Sequence, residues 1–178
     1  MDTYRIILAG FGGQGVLFAG KLLAYAALFD NREVSWLPSY GPEMRGGTAN
    51  CSVTVSNDSV DSPLITEPNI LIATNKPSYD KFEDTLTSGG IAIIDSTLID
   101  RKAKREDVNT YYIPATQLAQ DNDLNGLSNV ILLGKLLKET GIFDMETFKK
   151  SMEKNTSAKK AHLLEKNFKA LDLGYNYK

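Results

Sequence analysis

The sequence predicts an α/β protein with a Rossmann-like, three-layer arrangement, in which helices cover a mostly parallel sheet. Short apolar segments typical of buried strands alternate with longer segments whose apolar residues recur at helical spacing. The first strand also runs directly into a glycine-rich turn and a helix, the order found in nucleotide-binding α/β folds. We expect one domain over residues 1–178, with one antiparallel hairpin and helices at the C-terminal end.

The N-terminal part contains the first predicted strand–turn–helix–strand unit. Residues 4–9 are an apolar strand that ends at the glycines, and residues 15–29 show apolar side chains at helical spacing. Residues 33–37 predict the second strand of this unit. In residues 49–56 apolar and polar side chains alternate, which is typical of a half-buried strand. After a turn, residues 60–65 are expected to return as an edge strand.

The remaining strands and helices follow from shorter signals. Helix caps are expected at Ser128 and Asp144, and Gly141 is expected to stop a helix. The helix over residues 130–139 is apolar nearly all round, so it should be buried. The predicted strands are residues 70–74, 91–94 and 111–113, and the other predicted helices are residues 77–86, residues 115–120 and a last one marked by Leu163, Leu164, Phe168 and Leu171.

The composition excludes several kinds of site. The chain has one cysteine, Cys51, and one histidine, His162. An iron–sulfur cluster needs about four thiolates, so this chain should not hold one by itself, nor a Cys-rich zinc site. The formal net charge is −2, and no segment approaches the ~18 apolar residues of a membrane span. We therefore expect a cytoplasmic protein that binds neither nucleic acid nor membrane.

The first motif, Gly10, Gly12 and Gly15, fits G-x-G-x-x-G between a strand and a helix. A dinucleotide site should also have an acidic residue at the end of the second strand, yet Glu33 stands at its beginning. No lysine of a P-loop follows. Three interpretations remain open: a nucleotide site, a turn needed only for close packing, or a contact with an anionic group or partner chain.

The second motif spans residues 38–50, and its first part, residues 38–47, is expected to be a long loop rich in glycine and proline. Arg45 stands beside two glycines and could clamp a phosphate or carboxylate, although pairing with Glu43 is the alternative. Cys51 is expected to be an inert core thiol and His162 a solvated surface residue. Asn75 and Asp95 should lie at the carboxyl edge of the sheet, as ligand contacts or as helix caps.

Two linked segments resemble the γ domain of 2-oxoacid:ferredoxin oxidoreductases, a domain type that also occurs in the small subunit of indolepyruvate oxidoreductase. Residues 7–16 read ILAGFGGQGV, and residues 38–51 read PSYGPEMRGGTANC. The resemblance extends from Tyr4 to about Thr140. The pair Trp36-Leu37 ahead of the second segment looks most like the 2-oxoglutarate branch.

This resemblance implies one subunit of a heteromeric enzyme that converts a 2-oxoacid and coenzyme A to acyl-CoA, carbon dioxide and reduced ferredoxin. It implies that thiamine diphosphate, Mg²⁺ and [4Fe-4S] clusters lie in α and β, or δ, partner subunits. This chain would complete the active site and help bind coenzyme A through Gly12, Gly13, Gln14 and Arg45, with no catalytic residue or metal of its own. The alternatives are a freestanding dinucleotide-binding protein and a purely scaffolding subunit.

Overall fold

A computed structural model describes residues 3–40 and 48–178, and six strands of this part form one sheet in the order β2-β3-β1-β4-β5-β6. The strands are β1 (Thr3–Phe11), β2 (Glu33–Tyr40), β3 (Thr48–Ser56), β4 (Ile70–Ala73), β5 (Ile91–Asp95) and β6 (Asn109–Ile113). The α-helices are α1 (Val16–Phe29), α2 (Lys76–Phe82), α3 (Ala115–Asp121), α4 (Ser128–Thr140), α5 (Met145–Lys154) and α6 (Leu164–Asn176), with 3₁₀ turns at Glu83–Thr85 and Ala158–Leu163. The predicted α/β class is confirmed.

The strands β1, β4, β5 and β6 form the parallel half of the sheet. Successive residues of β1 face opposite layers: Ile6 and Leu8 belong to the larger core, and Ile7 and Ala9 to the smaller one. Helices α1, α4, α5 and α6 cover the larger core, whereas α2 contributes Tyr79 to the smaller one. Burial on both faces explains why β4 and β5 read as continuous apolar segments rather than alternating ones. The edge strand β6 is only partly buried.

The other half of the sheet is antiparallel because β3 runs against both β1 and β2. Cys51, Val53 and Val55 of β3 are fully buried, as their alternation predicted. The predicted edge strand over residues 60–65 is wrong, since no strand forms there. Both edges of β3 are already occupied, so the antiparallel hairpin is made with β2 instead. β3 also lies between β1 and β2, so the two strands of the predicted strand–turn–helix–strand unit are not neighbours in the sheet.

Two of the three predicted helix caps are confirmed. Gly141 adopts the left-handed conformation with φ 62° at the end of α4. The Asp144 carboxylate accepts a hydrogen bond from the Thr147 N–H at 2.8 Å at the start of α5. The prediction for Ser128 is wrong, because α4 begins at Ser128 itself and the preceding Leu127 makes no side-chain cap. None of the helices in the described part is long and apolar enough to cross a membrane.

The C-terminal helix α6 packs closely against the buried helix α4. At both crossing points a glycine lets the backbones touch: a Cβ on Gly174 would lie 1.8 Å from the Ile131 carbonyl oxygen, and one on Gly134 would lie 2.0 Å from that of Leu171. The buried Lys135 donates to the Tyr177 carbonyl oxygen at 3.0 Å and pairs with Glu139. The residues after Thr140 therefore complete the core.

Candidate functional site

The two sequence motifs meet at the carboxyl end of β1. In the sheet register Gly10 pairs with Ala49 and Phe11 pairs with Thr48. The second loop leaves β2 at Tyr40, which itself pairs with Ala49, and enters β3 at Thr48. Both ends of this loop thus lie beside the glycine-rich turn. Residues 41–47 lie outside the described part of the structure, and Arg45 is among them.

The glycine-rich turn requires two left-handed backbone conformations. Gly13 has φ 97° and Gly15 has φ 73°, values that residues with a Cβ rarely adopt. Gly12 and Gly13 are exposed. Of the predicted ligand contacts, these two glycines are therefore accessible to a bound group.

Gln14 is turned inward, towards the end of the neighbouring strand β4. Its Oε1 accepts hydrogen bonds from the Phe11 N–H at 2.6 Å and the Thr74 hydroxyl at 2.8 Å. Its Nε2 donates to the Thr74 carbonyl oxygen at 3.1 Å. The Gln14 carboxamide therefore fills the space between the carboxyl ends of β1 and β4, where parallel sheets usually open to receive a ligand.

Helix α1 begins at this turn, and its own residues do not neutralise its positive end. Its first turn has no acidic residue, and the residue before it, Gly15, provides no side-chain cap. The buried Asn129, at the start of α4, donates from Nδ2 to the Gly15 carbonyl oxygen at 3.0 Å. A Cβ on Gly15 would lie 2.5 Å from that nitrogen. The backbone N–H groups of the first turn of α1 thus favour an anion, and two helix N-termini are tied together there.

A cleft of about 310 Å³ lies on the outer side of the turn. Phe11 and Phe18 form apolar walls, and their side chains are 37% and 48% exposed. The rest of the lining is Gly12, Gly13, Gly15, Val16, Leu17 and Ala49. Backbone amides beside apolar walls suit a ligand that joins an anionic group to an apolar segment.

Asn75 and Asp95 lie at the predicted carboxyl edge, and both support helices. The Asn75 side chain accepts a hydrogen bond from the Ser78 N–H at 2.8 Å and caps α2. Asp95 is fully buried and accepts from the Thr116 hydroxyl at 2.6 Å and from the Thr116 N–H in the first turn of α3. The capping interpretation is therefore the one that fits these contacts.

Neither Cys51 nor His162 forms part of the site. Cys51 is fully buried, and burial raises the pKa of its thiol to about 12. The thiol donates to the Val16 carbonyl oxygen at 3.5 Å. His162 is exposed. Within residues 3–40 and 48–178, no group of three or more His, Cys, Asp or Glu side chains could hold a metal ion.

A buried ion-pair network stabilises the connection between β5 and β6. Glu83 is 1% exposed, and its carboxylate accepts hydrogen bonds from Arg101 at 2.7 Å and from the Lys104 N–H at 2.6 Å. Arg101 also pairs with Asp80 at 2.6 Å and stacks over the Tyr79 ring. Burial alone would raise the pKa of Glu83, but these hydrogen bonds outweigh it and lower the pKa. The network is structural.

Sequence reasoning missed the partners that fix the turn. Thr74 follows β4 directly, so its place at the carboxyl edge could have marked it. Asn129 lies 114 positions from Gly15 along the chain, and no local pattern signals that contact. Phe18 lies within the apolar segment that predicts α1, so the sequence did not single it out, but its side chain lines the cleft rather than the core.

A family model described as pyruvate ferredoxin/flavodoxin oxidoreductase matches residues 5–177. The chain is 37% identical to the 2-oxoglutarate synthase subunit KorC of Methanocaldococcus jannaschii, over 96% of this chain and 91% of that protein. It is 40% identical to the ketoisovalerate oxidoreductase subunit VorA of Methanothermobacter thermautotrophicus, over 96% of this chain. There it spans only 35% of the relative's length.

Solved structures show the same fold. The γ subunit of a keto/oxoacid ferredoxin oxidoreductase from Geobacter sulfurreducens matches with a TM-score of 0.82 and 28% identity, over 97% of this chain and 96% of that one. A 2-oxoglutarate:ferredoxin oxidoreductase from Magnetococcus marinus, with 2-oxoglutarate, coenzyme A and succinyl-CoA bound, matches with a TM-score of 0.87 and 25% identity. The match covers 98% of this chain and 31% of that one.

Proposed function

This chain belongs to the pyruvate ferredoxin/flavodoxin oxidoreductase family, and from that premise we propose that it serves as the γ subunit of a 2-oxoacid:ferredoxin oxidoreductase. The complex would convert a 2-oxoacid and coenzyme A to acyl-CoA and carbon dioxide while reducing ferredoxin, in the cytoplasm. The KorC relative, matched over nearly its whole length, supports 2-oxoglutarate as the substrate. The VorA relative makes a branched-chain 2-oxoacid the second candidate.

The proposed reaction requires two kinds of cofactor besides coenzyme A. Thiamine diphosphate would supply the decarboxylation chemistry and iron–sulfur clusters the electron transfer. A [4Fe-4S] cluster takes about four thiolates, whereas this chain has one cysteine, buried and with its pKa raised. We therefore assign the clusters to α and β, or δ, subunits, and we propose that thiamine diphosphate and Mg²⁺ are bound there as well.

The contribution of this chain would be to bind coenzyme A at the glycine-rich turn. The observation that supports this most is the meeting of the two motifs at the carboxyl end of β1. The phosphates of coenzyme A suit the exposed backbone of Gly12 and Gly13 and the positive end of α1. Arg45, on a loop whose two ends lie beside the turn, would add a charged clamp. The apolar walls at Phe11 and Phe18 would receive the pantetheine arm and exclude water.

Within this proposal Gln14 acts from behind the turn rather than on the ligand. Both polar atoms of its carboxamide already bind groups of this chain. The same observation argues against a freestanding dinucleotide-binding protein, because the crevice that a dinucleotide would enter between β1 and β4 contains this side chain.

Reconstitution tests the proposed function. The tagged full chain is isolated from its native source with the chains bound to it, and those chains are analysed for thiamine diphosphate and iron–sulfur clusters. 2-Oxoacid-dependent reduction of ferredoxin is then measured with this chain present and omitted. We expect coenzyme A-dependent turnover only when the chain is present. Full turnover without it, or turnover by this chain alone, would contradict the proposal.

A further inference from the structure

A cluster of polar side chains lies behind the glycine-rich turn. Gln14 Oε1 accepts from the Phe11 N–H at 2.6 Å, the Thr74 hydroxyl at 2.8 Å and the Asn75 amide at 3.4 Å. Gln14 Nε2 donates to the Thr74 carbonyl oxygen at 3.1 Å. Thr74 and Asn75 are each 3% exposed. One half-buried carboxamide thus joins the turn to the end of a different strand.

We propose that Thr74 and Asn75 are positioning residues, which hold the glycine-rich turn through Gln14 so that Gly12 and Gly13 present their backbone to an anionic group. This proposal rests on the proposed function, which supplies coenzyme A as the bearer of that group. Neither residue touches the ligand in this account. Asn75 acts through the Gln14 carboxamide. The Thr74 hydroxyl acts chiefly through the same carboxamide, at 2.8 Å, and shares its proton with the Ala9 carbonyl oxygen at 3.3 Å.

Gly10 supports this assignment because it makes room for the cluster. A Cβ at Gly10 would lie 1.9 Å from the Thr74 hydroxyl oxygen and 2.7 Å from Gln14 Oε1. In a dinucleotide fold the glycines of this motif let the backbone turn tightly and approach the cofactor. Here the first glycine allows the threonine and glutamine side chains to meet instead.

The turn needs such support because two of its residues are conformationally free. Gly12 and Gly13 are exposed, and Gly13 adopts φ 97°. The turn also has one backbone hydrogen bond, from the Gln14 N–H to the Phe11 carbonyl oxygen at 3.2 Å. Without the side-chain contacts, a ligand would have to order the glycines as it binds, which weakens binding without altering the reaction of bound ligand.

Substitution of Thr74 in the full chain separates these effects. Thr74→Val removes the hydroxyl that donates to Gln14 while keeping the branched shape, and Thr74→Ser restores the hydroxyl. Gln14→Met is a second variant that removes both polar atoms at similar size. The measurements are amide hydrogen exchange of residues 10–15 in the full chain, and the apparent KM for coenzyme A and the kcat of the assembled complex.

We expect Thr74→Val and Gln14→Met to speed exchange in the turn and to raise the KM for coenzyme A about three- to tenfold, with kcat unchanged. Thr74→Ser should behave like the unsubstituted chain. Unchanged exchange in both Thr74→Val and Gln14→Met would overturn the positioning role, whatever the kinetics. Faster exchange with an unchanged KM, together with an Arg45→Ala variant that also leaves the KM unchanged, would instead overturn the coenzyme A role proposed above.

Discussion

The contact between α4 and α6 predicts a large loss of stability from a single added methyl group. Gly174→Ala places a Cβ 1.8 Å from the Ile131 carbonyl oxygen and 2.7 Å from its carbonyl carbon. A Cβ needs at least about 3.0 Å, so the helices must separate by about 1.2 Å locally. Both groups at the contact are backbone, and neither can rotate away as a side chain could.

The magnitude follows from two opposing effects. Overpacking a well-packed core costs about 1–3 kcal/mol, and a clash between backbones belongs at the upper end of that range. Replacing glycine by alanine in a helix returns up to ~1 kcal/mol. We therefore expect Gly174→Ala to lower the free energy of unfolding by about 2 kcal/mol, which corresponds to a fall in Tm of about 4–8 °C for a chain of this size.

Urea unfolding followed by circular dichroism measures this change, with the slope of the transition as a check that the native state is otherwise intact. Lys166→Ala is the matched control, since Lys166 is exposed on the same helix and its removal should change stability by less than about 0.5 kcal/mol. A Gly174→Ala variant as stable as this control would refute the close crossing of α4 and α6.

Two further predictions concern buried groups. Glu83→Gln should lower the free energy of unfolding by about 2–3 kcal/mol, less than for a fully broken buried pair because Asp80 still binds Arg101. The pKa of Glu83 is lowered in the fold, so the ionised carboxylate stabilises the protein above its ordinary pKa, and this stabilisation is lost as pH falls through the folded value. The free energy of unfolding of Glu83→Gln should therefore depend less on pH below about pH 4.5 than that of the unsubstituted chain. Burial raises the pKa of the Cys51 thiol to about 12. The thiol should therefore resist iodoacetamide at pH 8 in the folded chain and react once urea unfolds the chain. Modification at equal rates in both states would contradict this prediction.

The sequence predicts β1, β4 and β5 well because most of each strand is a continuous apolar segment, whereas β6 reads NTYYI and is only partly buried at the edge of the sheet. The segments at β4 and β5 could hardly form anything but buried strands. The edge strand predicted over residues 60–65 failed for a non-local reason, since β2 and β1 occupy both sides of β3. A local sequence pattern does not show which strands pair when those strands are far apart in the sequence.

The candidate site was predicted in part. The resemblance grouped residues of both motifs as ligand contacts, and this grouping stays a prediction. The structure shows that the motifs meet at the end of β1 and that Gly12 and Gly13 line a cleft there. The inward turn of Gln14 could not be read from the sequence, because it depends on Thr74, 60 positions away. Similarly, Ser128 looked like a cap, whereas its neighbour Asn129 makes the contact with the turn.

In the proposed function, this chain contributes to the coenzyme A site through the loop next to the glycine-rich turn. The most direct measurement is the apparent KM for coenzyme A of the reconstituted complex that carries Arg45→Ala. Arg5→Ala is the matched control, because Arg5 lies six residues before Phe11 on β1, about 20 Å from the turn. We predict a rise of about tenfold or more for Arg45→Ala, no change for Arg5→Ala, and intact assembly in both. An unchanged KM in an intact Arg45→Ala complex would contradict the claim.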